Sequence, residues 1–203
     1  ETDAKTPKLQ LRVSPSAASA VDAAVAETEA IGKAIDTSKV KERATLGDAV
    51  HACIAAHFNS TAGGISTEGV SAILKSKGLG DLVDAGELHR QVKAVGEWVR
   101  GKWPDAKAFI EIPGQQVADD GQIVAGRMDL LVATDEGWAL IDHKSAAVIG
   151  AIAEAKLAEY GGQLSAYGEV LARATGKAAV AGWVVMPVAG KAFRISTMER
   201  PQP

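Results

Sequence analysis

The spacing of apolar residues changes near Pro104, and that change limits the fold more than any other feature of the chain. Before it, Leu46, Val50, Ile54 and Phe58 stand four apart, which puts them on one side of a helix over Thr45–Phe58. Two further helices are expected over Thr67–Lys75 and Ala85–Lys102. Near the start, Ser14-Pro15-Ser16 reads as a helix beginning, with Ser14 as cap and Pro15 in the first position. It would carry the Ala-rich segment Ser16–Ala30 as a helix.

After Pro104 the pattern becomes strand-like. Ala108-Phe109-Ile110-Glu111-Ile112 predicts a strand that Pro113-Gly114 ends. Ile123–Ala133 and Trp138–His143 predict two more, joined by the turn-forming Thr134-Asp135-Glu136-Gly137. Asp119-Asp120-Gly121 reads as a hairpin turn. A helix from about Ile152 to Ala174 and strands over Ala178–Met186 and Ala192–Ser196 complete the chain. Helices, a three-strand meander, a helix and two strands make an α/β domain: a mixed central sheet flanked by helices, with a helical N-terminal portion. Residues 1–11 are expected to be a flexible lead-in, and 12–203 one domain.

The composition restricts what such a domain can do. Hydrophobic residues make up 47% of the 203 but aromatics only 4%, so the core must be filled mainly by Ala, Val, Leu and Ile. The formal net charge is −3, whereas a domain that holds nucleic acid by charge alone is usually basic. That argues mildly against an autonomous DNA-binding module, and leaves room for an enzyme that receives DNA from a neighbouring domain. Cys53 is the one cysteine, which excludes an internal disulfide and a cysteine-built metal centre; its apolar surroundings predict a buried, inert thiol. There is no apolar run of membrane-spanning length, no signal-peptide pattern and no phosphate-cradling P-loop. A cytoplasmic protein without its own ATPase is expected, and the start at Glu1 reads as that of a fragment.

The chemistry is concentrated in Gly126-Arg127-Met128-Asp129-Leu130-Leu131 and Ile141-Asp142-His143-Lys144-Ser145. Residues two apart on a strand share a face, so Asp142 and Lys144 project together. With the turn at Asp135-Glu136, Asp129 lies across the hairpin from Asp142, near enough to share a cation. Two carboxylates are hard ligands for magnesium. A lysine beside them can orient water and offset the charge that builds on a phosphate. An Asp-x-Lys pair alone is commonplace and is usually a solvated ion pair. Here the apolar runs Leu130-Leu131-Val132 and Trp138-Ala139-Leu140-Ile141 make the acids costly unless they are partnered.

Two helical patterns accompany this core: Gly47-x-x-x-His51, and Gln163-x-x-x-Tyr167 on one helix face. Together these motifs resemble the PD-(D/E)xK nuclease superfamily. More narrowly, they resemble the C-terminal nuclease domain of RecB/AddA-type helicase–nucleases and related UvrD-like helicases. The likeness runs from Arg12-Val13-Ser14-Pro15-Ser16 to about Ser196. It implies a restriction-endonuclease-like fold in which Asp129, Asp142 and Lys144 are catalytic. Metal would be held by Asp129, Asp142, His51 and the backbone carbonyl of His143, and Gln163, Tyr167 and Glu111 would position the DNA. The implied cofactor is Mg²⁺ or Mn²⁺, and the implied substrate is DNA, single-stranded above all. The implied setting is double-strand break processing and recombinational repair in a bacterial nucleoid, beside an N-terminal UvrD-like helicase motor. Met128 stands before the first acid in place of a proline, and His143 stands where tyrosine is frequent; neither removes a functional group. A catalytically weak DNA-binding or assembly module, or a nuclease acting on RNA, are the competing readings.

The remaining histidines and tryptophans carry less. His57 and His89 are expected to pack or be solvated, and Trp98, Trp103, Trp138 and Trp183 to fill the core or a sheet edge.

Overall fold

The alternation in the second half of the chain builds one mixed sheet of seven strands among the described residues of the computed structural model. The structure describes residues 12–13, 21–117, 123–146, 152 and 154–197. In chain order the elements are β1 (Arg12–Val13), β2 (Ala23–Ala30), α1 (Arg43–Asn59), α2 (Thr67–Ser76), α3 (Ala85–Lys102), β3 (Lys107–Val117), β4 (Ile123–Ala133), β5 (Trp138–His143), α4 (Glu154–Thr175), β6 (Ala179–Met186) and β7 (Lys191–Thr197). Across the sheet they run β3, β4, β5, β6, β7, β2, with β1 also paired to β4. The β5–β6 and β1–β4 pairs are parallel and the others antiparallel. Helix α4 is the crossover that parallel β5 and β6 require.

Alternation along β5 divides the core between two faces. Ala139 and Ile141 join Val95 and Val99 of α3, while Leu140 joins Tyr160, Leu164, Tyr167 and Leu171 of α4. Helices α1, α2 and α3 bury a further cluster around Leu46, Val50, Ile54, Leu74 and Leu88. Helices α2 and α3 are capped at their N-termini by side chains. Ser66 accepts from Gly69 N–H and Asp84 from Glu87 N–H. Cys53 is buried, and burial pushes its thiol up to about 11, so it is inert at neutral pH. No helix among the described residues is long and apolar enough to cross a membrane.

The α/β architecture and the helical layer agree with the sequence, but two boundaries do not. Ala23–Ala30, expected to be helical, is strand β2, paired antiparallel with β7 from Ala23↔Thr197 to Ala30↔Lys191. Long-range pairing outweighs the helix preference of its alanines. Pro113-Gly114 does not end β3, which continues to Val117. Among the described residues strand β3 pairs only with β4 and lies at the sheet edge, where a missing proline N–H leaves no gap in a ladder. Residues 1–11, the helix start at Ser14-Pro15-Ser16 and the turn at Asp119-Asp120-Gly121 lie outside the described residues.

Trp98 packs edge-on against both Trp103 and Trp183, within the core layer under α3. His89, expected in solvent, is half-buried with Nδ1 2.9 Å from Thr67 Oγ1, because the start of α2 lies against α3.

Candidate active site

Three acids come level across three neighbouring strands. The β4–β5 turn is closed by Thr134 N–H donating to Gly137 O at 2.8 Å, and the register that follows pairs Ala133↔Trp138 through Leu130↔Ile141. One step further brings Asp129 alongside Asp142. On the other edge of β4, Ile110↔Leu130 and Ile112↔Met128 bracket Glu111, which stands across from Asp129. Glu111 has φ 56°, a left-handed backbone that few residues other than glycine adopt and that gathers at functional sites.

His51 reaches this row from α1. Its Nε2 lies 3.0 Å from the carbonyl oxygen of His143, so the Nε2–H donates there. Its Nδ1 is 3.5 Å from Asp129 Oδ1 and 3.9 Å from Glu111 Oε1. With Nε2 carrying the proton, Nδ1 can contact a carboxylate favourably only if the ring or the acid holds a second one. Asp129 also accepts the backbone N–H of His143 at 2.7 Å. Burial first, and the charge of Asp142 second, push the Asp129 carboxyl up to about 6. The His143 ring is buried with Nδ1 3.8 Å from Asp129 Oδ2, and its Nε2 has no hydrogen-bond partner among the described residues. Burial, then the nearby charges of His51 and Lys144, bring it down to about 3, so the ring is neutral.

Asp142 and Lys144 are held against α4 through Gln163. Lys144 Nζ lies 2.9 Å from Asp142 Oδ2, a charge contact without the alignment of a hydrogen bond. Gln163 joins the two: its amide N–H donates to Asp142 Oδ1 at 3.0 Å, and its carbonyl accepts from Lys144 Nζ at 3.0 Å. Burial holds Asp142 above the ordinary carboxylate range, against the pull of Lys144. For Lys144, burial acts to lower the pKa, but the Asp142 carboxylate overrides it and the ammonium stays protonated. One turn on, Tyr167 donates its hydroxyl to the carbonyl of Arg127 at 2.8 Å.

The donor set suits a small divalent cation. Asp129, Asp142 and the His143 carbonyl offer hard oxygens, and His51 offers an imidazole nitrogen. A ring nitrogen of His51, a ring nitrogen of His143 and a carboxylate oxygen of Asp129 also lie within 4.8 Å of one another. Two buried carboxylates held above their ordinary pKa are a pair that a bound cation would relieve. A cleft of about 680 Å³ opens on this centre, with His51, Glu111, Arg127 and Asp129 among its lining residues.

A sequence profile of the PD-(D/E)XK nuclease superfamily matches residues 22–201. The chain belongs to this superfamily. The match leaves Arg12-Val13-Ser14-Pro15-Ser16 outside, so that part of the expected likeness is not carried by it. Among curated proteins, no sequence matches the chain. The mixed sheet with helices on both faces is consistent with the restriction-endonuclease-like fold.

In this nuclease-superfamily domain every residue singled out from the sequence falls in one neighbourhood. His51, Glu111, Asp129 and the His143 carbonyl meet on the cleft side; Asp142, Lys144 and Gln163 meet under α4. Gln163 and Tyr167 are buried, and their polar atoms bond to the site's own residues. Sequence reasoning passed over Arg127, whose guanidinium lies 2.9 Å from Glu111, and Lys77, on the opposite wall of the cleft beside Asp48. Arg127 was legible, standing two residues before Asp129 on the same strand. Lys77 was not, since it reaches the cleft only through the packing of α2 on α1. The nearness of the His143 ring to Asp129 also went unseen, because strand alternation sends that side chain away from Asp142.

Proposed function

We propose that the chain is a magnesium-dependent deoxyribonuclease, the nuclease domain of a helicase–nuclease that processes double-strand breaks for recombinational repair. The observation that carries the nuclease chemistry is Asp129, which lines an open cleft, standing beside the buried network of Asp142, Lys144 and Gln163. The biological setting rests on the likeness of the Gly47–His51 and Gln163–Tyr167 motifs to the RecB/AddA branch. On this reading the protein works in the bacterial cytoplasm on nucleoid DNA, and takes single strands from a UvrD-like motor.

Magnesium, or manganese in its place, would be held by Asp129, Asp142, His51 and the His143 carbonyl, and when bound would acidify a water and withdraw charge from the phosphate. The side chains supply the rest. Lys144, kept cationic by Asp142, donates hydrogen bonds to the attacking water or to a non-bridging phosphate oxygen. Gln163 fixes the direction of both Asp142 and Lys144 by bonding to each. Water is the nucleophile, so no covalent intermediate with the protein is needed.

A panel of end-labelled substrates tests the substrate class: single- and double-stranded DNA and single-stranded RNA, each with Mg²⁺, Mn²⁺ or EDTA. Metal-dependent cutting of DNA, with single strands cut first, is expected. Cutting confined to RNA would overturn the DNA assignment, and binding of DNA without cutting would favour an assembly module.

A further inference from the structure

Arg127 is fixed at its backbone and exposed at its head. Its carbonyl is held by Tyr167, while its side chain is 66% exposed and opens on the cleft that His51 and Asp129 also line. Its one ion-pair partner among the described residues is Glu111, with Nη1 2.9 Å from Oε2. An ion pair this open to solvent adds little to stability. Yet Glu111 reaches it from a left-handed backbone, an arrangement that persists only where the surrounding structure over-determines it. Glu111 also has a second neighbour in His51, whose Nδ1 is 3.9 Å from Oε1. The far wall repeats the pattern more loosely, with Lys77 Nζ 3.9 Å from the exposed Asp48 carboxylate. The cleft thus carries cations whose charge is covered by acids able to let go.

We propose that Arg127 binds a backbone phosphate of the substrate strand beside the cleavage centre, and that Glu111 is the counter-ion a phosphate displaces. The inference rests on the nuclease reading above. A guanidinium presents two parallel N–H groups to a phosphate as readily as to a carboxylate, so one anion can replace the other without Arg127 moving far. Glu111 then turns towards His51. Lys77 faces the same strand from the opposite wall and takes a neighbouring phosphate.

Binding is measured by fluorescence anisotropy of a labelled oligothymidylate in EDTA, over about 50 to 200 mM salt. Arg127→Ala should bind roughly tenfold more weakly, and its slope of log affinity against log salt should be shallower by about 0.7, the contribution of one single-strand phosphate contact. Arg127→Lys should keep most of that slope. Glu111→Gln should bind several-fold more tightly than the parent chain, the reverse of what a DNA-positioning carboxylate would give. An unchanged slope in Arg127→Ala, weaker binding in Glu111→Gln, or no binding by the parent chain at low salt would overturn the proposal. If Arg127→Ala fails to fold, Arg127→Lys and Glu111→Gln decide it alone. Cleavage separates this inference from the reading beneath it. A parent chain that cuts, with an unchanged Arg127→Ala slope, removes only the phosphate site; one that shows the slope loss but never cuts with Mg²⁺ or Mn²⁺ removes the nuclease assignment.

Discussion

At the scale of the residue, the site is a set of groups that the fold destabilises until something binds. Asp129 is the clearest case. Its carboxyl is raised from 3.8 to about 6, so the folded chain holds this proton more tightly than the unfolded chain does. Stability from such a group is present at low pH and is lost as pH rises through about 6. At pH 8 without metal the ionised form costs folding about 1–3 kcal/mol, from about two pKa units at 1.36 kcal/mol each as an upper bound. Asp129→Asn should therefore melt at a higher temperature than the parent chain in EDTA at pH 8, by calorimetry; a lower melting temperature would contradict the assignment. Gln163 acts through its neighbours. Gln163→Leu removes the bonds that aim Asp142 and Lys144, and groups in that supporting position usually change activity tenfold to a hundredfold. Its cleavage rate should fall by about that factor, with Mn²⁺ affinity by titration changing less than in Asp142→Ala.

At the scale of the element, local patterns carried most of the fold. The four-residue spacing in α1 and the apolar runs of β4 and β5 fixed those elements, and the short turn between Ala133 and Trp138 set the register that brings Asp129 to Asp142. What local pattern could not show was pairing at long range. Ala23–Ala30 is alanine-rich and becomes a strand only because β7, more than 150 residues later, offers an edge. Pro113 could not announce that β3 lies at the sheet edge. Gly114 beyond it lets the layers approach, since a Cβ there would lie 2.6 Å from Met128 Cε and 3.1 Å from Val170 Cγ1. Packing of α3 on α1 depends on a similar approach. A Cβ at Gly96 would fall 2.4 Å from Nε2 of the buried His57, which Gly64 confines from its other side. Gly96→Ala should lose about 1–3 kcal/mol in urea unfolding, because overpacking exceeds the roughly 1 kcal/mol gained in helix preference. A more stable variant would show that the His57 ring is free to move aside.

At the scale of the whole molecule, the helical layer and the sheet meet where the cleft opens. His57 is buried, with neither ring nitrogen hydrogen-bonded among the described residues. Burial first, then Arg100, lowers its pKa below 6.5. Its depressed value means the unfolded chain takes up this proton first, so stability is full above about pH 6.5 and declines as pH falls from there. His57→Leu should lose less stability than the parent chain between pH 7 and pH 5, in paired urea titrations; equal losses would place the ring in contact with water.

The central claim, that Asp129, Asp142 and Lys144 form a phosphodiester-cleaving centre, meets its most direct test in one assay. End-labelled single-stranded DNA is incubated with Mg²⁺ and either the parent chain or Lys144→Ala, with the folding of both confirmed by circular dichroism. The account predicts that the parent chain cuts and that Lys144→Ala is slower by roughly a hundredfold or more, as expected when a group that offsets transition-state charge is removed. Cutting by Lys144→Ala at the parent rate would contradict it.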